Sequence, residues 1–103
     1  MVERFVTPCT LPTPRQREIL TIVAEEAAEV IQRATKALRF GLDEVQPGQE
    51  LSNAQRLAEE IGDLEEIIAL AVRERLLRRR DIDARRPLKQ MQLIKFMQTE
   101  HSR

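Results

Sequence analysis

Two groups of carboxylates have the spacing from which a metal site could be built. They are the runs Glu25-Glu26-Ala27-Ala28-Glu29 and Glu59-Glu60-Ile61-Gly62-Asp63. Residues three or four positions apart share one face of a helix, with Cβ atoms about 5–6 Å apart, so each run would place like charges side by side. Carboxylate oxygens arranged in this way suit Mg²⁺ or Mn²⁺. The pattern therefore indicates either two solvated acidic patches or one divalent-metal site shared by two helices.

Hydrophobic periodicity predicts that both runs lie on long helices. Thr13-Pro14-Arg15-Gln16 combines a capping threonine, a proline at the first helical position and a glutamine that can close a capping box. The apolar pattern that follows ends at Gly41, and a polar connector over 41–51 turns at Pro47-Gly48. Ser52-Asn53-Ala54-Gln55 opens a second helix in the same way.

The predicted elements form one all-α domain over residues 1–103. We expect an irregular arm over 1–12, main helices over 13–40 and 53–79, and a short helix over 87–99 that begins near Pro87. A helical hairpin of this kind, with a short C-terminal helix, is expected to assemble into oligomers of the four-helix-bundle type. A chain of 103 residues buries only about two-thirds of its unfolded surface, which also favours oligomers.

Composition narrows the class of protein. Aromatic residues make up 3% of the chain, with no Trp and no Tyr, so aliphatic side chains must build the core, which suits helices. Cys9 is the single cysteine, which excludes an internal disulfide and a cysteine zinc site. No apolar run approaches the roughly 18–20 residues of a membrane span, and no signal-peptide pattern is present. We therefore expect a cytoplasmic protein.

Charge is segregated along the chain although the formal net charge is zero. Residues 1–72 contain 7 Lys and Arg against 13 Asp and Glu, a balance of −6, whereas residues 73–103 contain 10 against 4, a balance of +6. An acidic body with a basic tail can dock onto itself, onto a second copy or onto a polyphosphate. The zero net charge argues against a dedicated nucleic-acid-binding protein.

Helical phase places the carboxylates beside the apolar stripes. At about 100° per residue, Glu26 and Glu29 lie on the flank of the first stripe, and Glu60 and Asp63 lie on the flank of the second. If the two stripes pack together, these four side chains converge at one seam, which is costly unless a cation joins them. Arg33 can pair with Glu29 four residues earlier, but one arginine cannot balance four carboxylates. A metal is therefore expected.

The same residues resemble the motif of the MazG-like, all-α nucleoside triphosphate pyrophosphohydrolases. That family has a Glu-Glu-x-x-Glu run on one helix and a Glu-x-x-Asp run on the next. Here these runs read Glu25-Glu26-Ala27-Ala28-Glu29 and Glu60-Ile61-Gly62-Asp63. The resemblance covers most of residues 15–72 and includes the stretch Lys36–Gly41. Two features depart from it, the long connector and the pair Glu65-Glu66 after the second motif.

The resemblance implies a reaction and a set of ligands. Family members hydrolyse nucleoside triphosphates between the α and β phosphates, depend on Mg²⁺ and form dimers or tetramers of helical bundles. By position, Glu26, Glu29, Glu60 and Asp63 would be the metal ligands. One of Glu25, Glu26 or Glu29 could activate the attacking water.

Basic and aromatic residues supply candidates for substrate contacts. The chain has no Gly-rich phosphate loop. Phosphate charge must therefore be met by metal and basic side chains, with Lys36 the first choice and Arg39 the second. Phe40 could stack on a base, or could serve in the core or a dimer contact. Asn53 could read a base edge or cap a helix.

A competing hypothesis needs no catalysis. The chain could be a helical oligomerisation module, or a module that binds nucleotide or nucleic acid through its basic tail. A third hypothesis is a relative of the pyrophosphohydrolases that binds nucleotide without turnover. Dependence on Mg²⁺ and on Glu60 separates a metal-dependent enzyme from a scaffold.

Overall fold

The computed structural model describes residues 10–99 of the chain. Within that range the fold is all-α, with helices α1 (Pro14–Phe40), α2 (Asn53–Arg73) and α3 (Arg79–Phe96) and no strand. Most of the arm predicted over 1–12 lies outside the described residues. None of the described helices combines the length and the apolar character that crossing a bilayer requires.

Both predicted capping boxes are present. At α1, the Gln16 backbone N–H donates to the Thr13 hydroxyl at 3.1 Å, and the Thr13 N–H donates to the Gln16 side chain at 3.0 Å. Ser52 and Gln55 repeat the arrangement at α2, with distances of 3.2 and 2.9 Å. These bonds satisfy backbone donors that a helix start otherwise leaves free, so the local sequence determines where both helices begin.

Helices α1 and α2 pack as an antiparallel hairpin around a small core. Among the described residues, the buried apolar side chains are Ile19, Ile67 and Ala71. The partly buried residues Ile22, Val23, Leu64, Leu70 and Leu76 pack against them. Ile19 and Val23 thus pack as the α1 pattern predicts. On α2 the predicted stripe of Leu57, Ile61, Leu64, Ile68 and Val72 is shifted, because Ile67 and Ala71 are buried and Ile61 is 40% exposed.

A bidentate ion pair closes the open end of the hairpin. Arg15, in the first turn of α1, donates to both carboxylate oxygens of Glu74 at the end of α2, at 3.0 and 2.6 Å. The hydrogen bond from Arg15 is the main cause that lowers the pKa of Glu74 and raises that of Arg15. The pair joins the two ends of the hairpin with the fork geometry that arginine offers a carboxylate.

Asn53 fastens the other end of the hairpin. The helix cap is Ser52, and the buried Asn53 side chain donates to the Gly41 carbonyl at 2.8 Å and to the Glu44 carboxylate at 3.0 Å. The backbone N–H of Asn53 also donates to the Glu44 carbonyl. The connector is thereby folded onto the start of α2, and a capping role for Asn53 itself is wrong.

Helix α2 ends at Arg73, six residues earlier than the sequence predicted. The Leu76 N–H donates to the Ala71 carbonyl and the Arg75 N–H to the Val72 carbonyl, which is the Schellman pattern of helix termination. Arg75 takes the left-handed conformation with φ 65°. Leu76 folds back against the hairpin core, so a hydrophobic contact ends the helix where no glycine marks the end.

The third helix begins at Arg79, not near Pro87, so Pro87 lies inside α3. Because α2 ends early, the segment from Arg79 onward is free to start a helix of its own, and Asp81 in its first turn suits the positive end of the helix dipole. Helix α3 makes almost no contact with α1 or α2. The fold is thus a hairpin carrying a projecting basic helix.

The left-handed Arg75 predicts a stabilising substitution. A non-glycine residue in this conformation costs about 1–2 kcal/mol, a cost that glycine avoids. We expect Arg75→Gly to raise the free energy of unfolding by about 1 kcal/mol in urea denaturation followed by circular dichroism. Glu65→Gly, at an exposed position inside α2, is the control and should lower the free energy of unfolding by about 1 kcal/mol. Equal losses in both variants would contradict the assigned helix end.

Candidate metal centre

The hairpin brings three of the four predicted ligands together. Oxygen atoms of Glu26 on α1 and of Glu60 and Asp63 on α2 all lie within 4.8 Å of one another. Glu26 and Glu60 are half-buried and Asp63 is exposed. Two ligands of one Mg²⁺ lie at most about 4.2 Å apart, because each sits about 2.1 Å from the ion. Small side-chain rotations would therefore bring the three oxygens to a common Mg²⁺.

The position of Glu26 follows from the stripe that α1 turns toward α2. Apolar residues recur at Ile19, Val23, Val30 and Ala37 with the spacing of one helix face, and Glu26 occupies the place in that series between Val23 and Val30. On α2, Glu60 and Asp63 are three residues apart and face the same seam. Packing of the two stripes is what makes the carboxylates meet.

The surroundings of Glu60 disfavour its ionised form. Its pKa is raised from the ordinary 4.5 chiefly by burial, and then by the negative charges of Glu29, Asp63 and Glu26. The charge of Arg33 acts in the opposite direction. Desolvation and like charges both disfavour the ionised form, and a bound cation would relieve both.

Arg33 does not form the ion pair with Glu29 that their spacing along the helix allows. After Glu26, Arg33 is the next polar residue on the stripe that α1 turns toward α2. Its Nε and Nη1 atoms are buried without a hydrogen-bond partner. No carboxylate among residues 10–99 lies within ion-pair distance of it. The positive charge in the seam thus acts at longer range on Glu60 and leaves the carboxylates without a direct partner.

The remaining predicted site residues have different surroundings. Glu29 is exposed and close enough to raise the pKa of Glu60, although it is outside the group of three. Glu25 is exposed and Lys36 is half-buried. The Arg39 guanidinium lies 5.0 Å from the centre of the Phe40 ring at the end of α1.

Asn53 is the predicted substrate residue with the least freedom to contact a ligand. Its side chain is 1% exposed, and both contacts of its amide nitrogen are to the connector. Its Oδ1 atom is buried without a hydrogen-bond partner. Asn53 therefore has a structural role at the closed end of the hairpin.

A groove beside the carboxylates adds residues outside the predicted set of four ligands. The groove has a volume of about 410 Å³ and is lined by Glu26, Asp63, Glu66, Ile67, Leu70 and Arg73. Arg73 Nη2 lies 3.6 Å from Glu66 Oε2. Glu66 follows Asp63 by three residues, and the sequence left open a fifth acidic group near the metal at Glu65-Glu66. The sequence indicated for Arg73 a place in a basic helix end, or a contact with a partner subunit's triphosphate, but not a place beside these carboxylates.

Comparison with known proteins adds no relative. The chain matches no protein-family model, no curated sequence and no solved structure. The case for function therefore depends on the residues of this chain and their geometry.

The raised pKa of Glu60 predicts a pH-dependent effect of its removal. In metal-free protein the folded state binds the Glu60 proton more tightly than the unfolded state, so this group favours folding at low pH and disfavours it as the pH rises above 4.5. Glu60→Gln should therefore gain stability relative to the natural chain between about pH 4 and pH 7 in EDTA, measured by urea unfolding.

With Mg²⁺ present, the natural chain should be more stable than Glu60→Gln. A cation that binds only the folded chain stabilises it, and Glu60→Gln should lose this gain. Glu59→Gln, at the exposed neighbouring position, is the control and should follow the natural chain in both conditions. If Glu60→Gln is less stable than the natural chain at pH 7 in EDTA, burial and neighbouring carboxylates do not disfavour the ionised form of Glu60.

Proposed function

We propose that the protein is a Mg²⁺-dependent nucleoside triphosphate pyrophosphohydrolase that converts a (d)NTP to a (d)NMP and pyrophosphate. The observation that carries the proposal is the convergence of Glu26, Glu60 and Asp63 from two helices. These residues belong to the two runs that resemble the family motif. A seam of carboxylates without a directly paired cation is the arrangement that a divalent metal stabilises.

In the proposed reaction both helices hold the cation, and α1 also supplies the base. Glu26, Glu60 and Asp63 would hold the cation, and Glu29 would complete the ligand set by a change of side-chain rotamer. When bound, Mg²⁺ supplies positive charge to the phosphate oxygens and lowers the pKa of coordinated water. Glu25 or Glu29, which are both exposed, would accept a proton from the water that attacks the α phosphorus. Pyrophosphate leaves with the bridging oxygen.

The triphosphate is proposed to lie along the polar flank of α1. Lys36 is half-buried and shares a helix face with Glu29, so it is the proposed phosphate contact. Arg39 and Phe40, which contact each other at the end of α1, are proposed to meet the more distant part of the nucleotide. Asn53 is left out of the substrate contacts, because its amide nitrogen is engaged by the connector.

Oligomerisation and a cytoplasmic location belong to the same proposal. A dimer or tetramer is supported by the small core of the hairpin and by its many exposed large apolar side chains. The non-catalytic alternative is favoured by one specific observation, the projecting basic helix α3. A module that uses α3 to bind nucleic acid or a partner would not need the carboxylates.

Product analysis tests the reaction. Purified protein should release monophosphate and pyrophosphate from members of an NTP and dNTP panel with Mg²⁺, and release should stop with EDTA. Anion-exchange chromatography separates the products. Diphosphate and phosphate would mean attack at a different phosphorus and would overturn the proposal. If the protein is inactive and also binds no nucleotide with Mg²⁺, the result would support the hypothesis of a non-catalytic scaffold.

Removal of a proposed ligand should abolish turnover without unfolding the chain. We expect Glu60→Gln to lower kcat/KM by about 100-fold or more, because it removes a charged ligand from the proposed metal. Glu59→Gln should stay within about twofold of the natural chain, since its side chain points to solvent. Circular dichroism confirms that both variants are folded. Full activity in Glu60→Gln would contradict the assigned ligand set.

Lys36 can be tested by separating substrate binding from catalysis. Lys36→Met keeps most of the aliphatic stem and removes the charge, so we expect KM to rise about tenfold through a lost charged hydrogen bond. Gln32→Met, one turn earlier and exposed, is the matched control and should leave KM unchanged. An unchanged KM in Lys36→Met would place the phosphates elsewhere.

A further inference from the structure

Arg33 carries a half-buried positive charge to which the proposed reaction gives no task. Its Nε and Nη1 atoms are buried without a hydrogen-bond partner, and Nη2 is the guanidinium nitrogen that reaches the surface. A buried donor without a partner lowers the stability of a protein, and a charged one lowers it more. The aliphatic stem of an arginine packs well against apolar neighbours, but that packing does not require the charged nitrogens to be buried. The burial of these nitrogens therefore calls for an explanation.

Arg33 belongs to a face of α1 on which charge changes sign along the helix. At intervals of three, four and three residues, this face presents Glu26, Glu29, Arg33 and Lys36. At 100° per residue, the four positions lie within about 80° of one another around the helix, and they span about 15 Å along it. Two carboxylates are thus followed by two cations. This order suits a polyphosphate that carries a metal ion at one end and free negative charge at the other.

The charge of Arg33 acts on the candidate metal centre without being paired there. Side chains of a helix lean toward its N-terminus, and from Arg33 this direction leads toward Glu29 and Glu26. The positive charge of Arg33 opposes the rise in the pKa of Glu60. No carboxylate among residues 10–99 is nevertheless within ion-pair distance of the guanidinium. Its donors therefore remain available to an anion that lies beside the carboxylates.

We infer that Arg33 binds the pyrophosphate that leaves in the proposed reaction and stabilises the negative charge on its bridging oxygen. The inference rests on the proposed function. A guanidinium offers phosphate oxygens two parallel N–H donors, which a lysine cannot do. Because Nη2 already reaches the surface, rotation about the outer bonds of the side chain would bring a second donor to the same anion.

The reaction develops its charge at the atom that Arg33 would contact. The oxygen of the attacking water forms a bond to the α phosphorus, and the bond from that phosphorus to the bridging oxygen breaks. The bridging oxygen keeps the electron pair and leaves with the β and γ phosphates, while the water proton passes to Glu25 or Glu29. In two-metal sites a second metal ion stabilises the leaving oxygen. Here a side chain of the chain itself would supply that positive charge.

Arg33 and Lys36 would contact different parts of the triphosphate. Lys36 lies about 4.5 Å farther along α1 from the carboxylates, so it would meet the terminal phosphate, whose charge changes little during the reaction. Arg33 lies nearer to the carboxylates and would meet the oxygen on which charge appears. A contact that strengthens in the transition state raises kcat, whereas one of constant strength lowers KM. The two side chains should therefore affect different kinetic constants.

Binding measurements test Arg33 without any turnover. Arg33→Met removes the charge and keeps an aliphatic side chain. We expect Mg²⁺ alone to bind this variant a few-fold more tightly, because a positive charge near the carboxylates is lost. Inorganic pyrophosphate, titrated by calorimetry in the presence of saturating Mg²⁺, should bind about tenfold more weakly, because charged hydrogen bonds are lost. A metal ligand would weaken both affinities, and a residue with no contact to the anion would leave that of pyrophosphate unchanged.

Kinetics provide the second test. Arg33→Met should lower kcat by about 100-fold, the cost of losing one donor to a developing negative charge, with a smaller effect on KM than Lys36→Met has. Arg33→Lys should recover part of kcat, because it restores the charge but not the paired donors. Arg17→Met makes the same exchange at an exposed position near the start of α1 and should change neither constant. Circular dichroism confirms that the variants are folded.

The outcomes separate this inference from the proposed function. If the natural chain releases pyrophosphate and Arg33→Met keeps both kcat and the affinity for pyrophosphate, the inference is overturned and the proposed function stands. Weaker binding of both Mg²⁺ and pyrophosphate in Arg33→Met would also overturn it, because such a loss indicates a damaged seam. A natural chain that turns over no nucleotide but binds pyrophosphate through Arg33 would overturn the proposed reaction and support the anion site.

Discussion

The structure depends on the packing of α1 against α2 along a seam that contains charge. A stripe of apolar residues builds one end of this seam, where Ile19, Ile67 and Ala71 are buried. Further along, Glu26 and Arg33 occupy places on α1 where aliphatic residues would pack better. Glu60 faces them from α2, with a pKa raised by burial and by neighbouring carboxylates. The hairpin thus gives up packing in the part of the seam where a cation could bind.

Other features of the hairpin hold this seam in register. Arg15 and Glu74 join its open end, and Asn53 ties the connector to its closed end. Leu76 folds back under the Schellman turn and adds an apolar contact near the core. Because both ends are fixed, the carboxylates meet without any contact of their own that favours the arrangement. Such fixed positions are what a metal site requires from its scaffold.

The two sides of the hairpin have different chemical characters. One carries the carboxylates, Lys36 and the groove, and the other carries exposed apolar side chains such as Ile31 and Ile61. The proposed reaction would use only the first of these sides. Helix α3 takes part in neither surface as the single chain folds. Its basic side chains are the main feature that the proposed reaction leaves without a role.

The sequence by itself determined the fold class and the beginnings of the main helices. The capping boxes at Thr13 and Ser52 and the ending at Gly41 are local, because each involves residues within one turn. The ordered carboxylate runs also identified Glu26, Glu60 and Asp63, since helical spacing alone places them on the packing flank. The tertiary structure decided the rest. Helix α2 ends where Leu76 contacts the core, and the Asn53 side chain donates hydrogen bonds to Gly41 and Glu44. Arg33 lies in the seam without pairing with Glu29. These outcomes depend on how the two helices and the connector pack together. The helical spacing of residues along one helix does not contain that information.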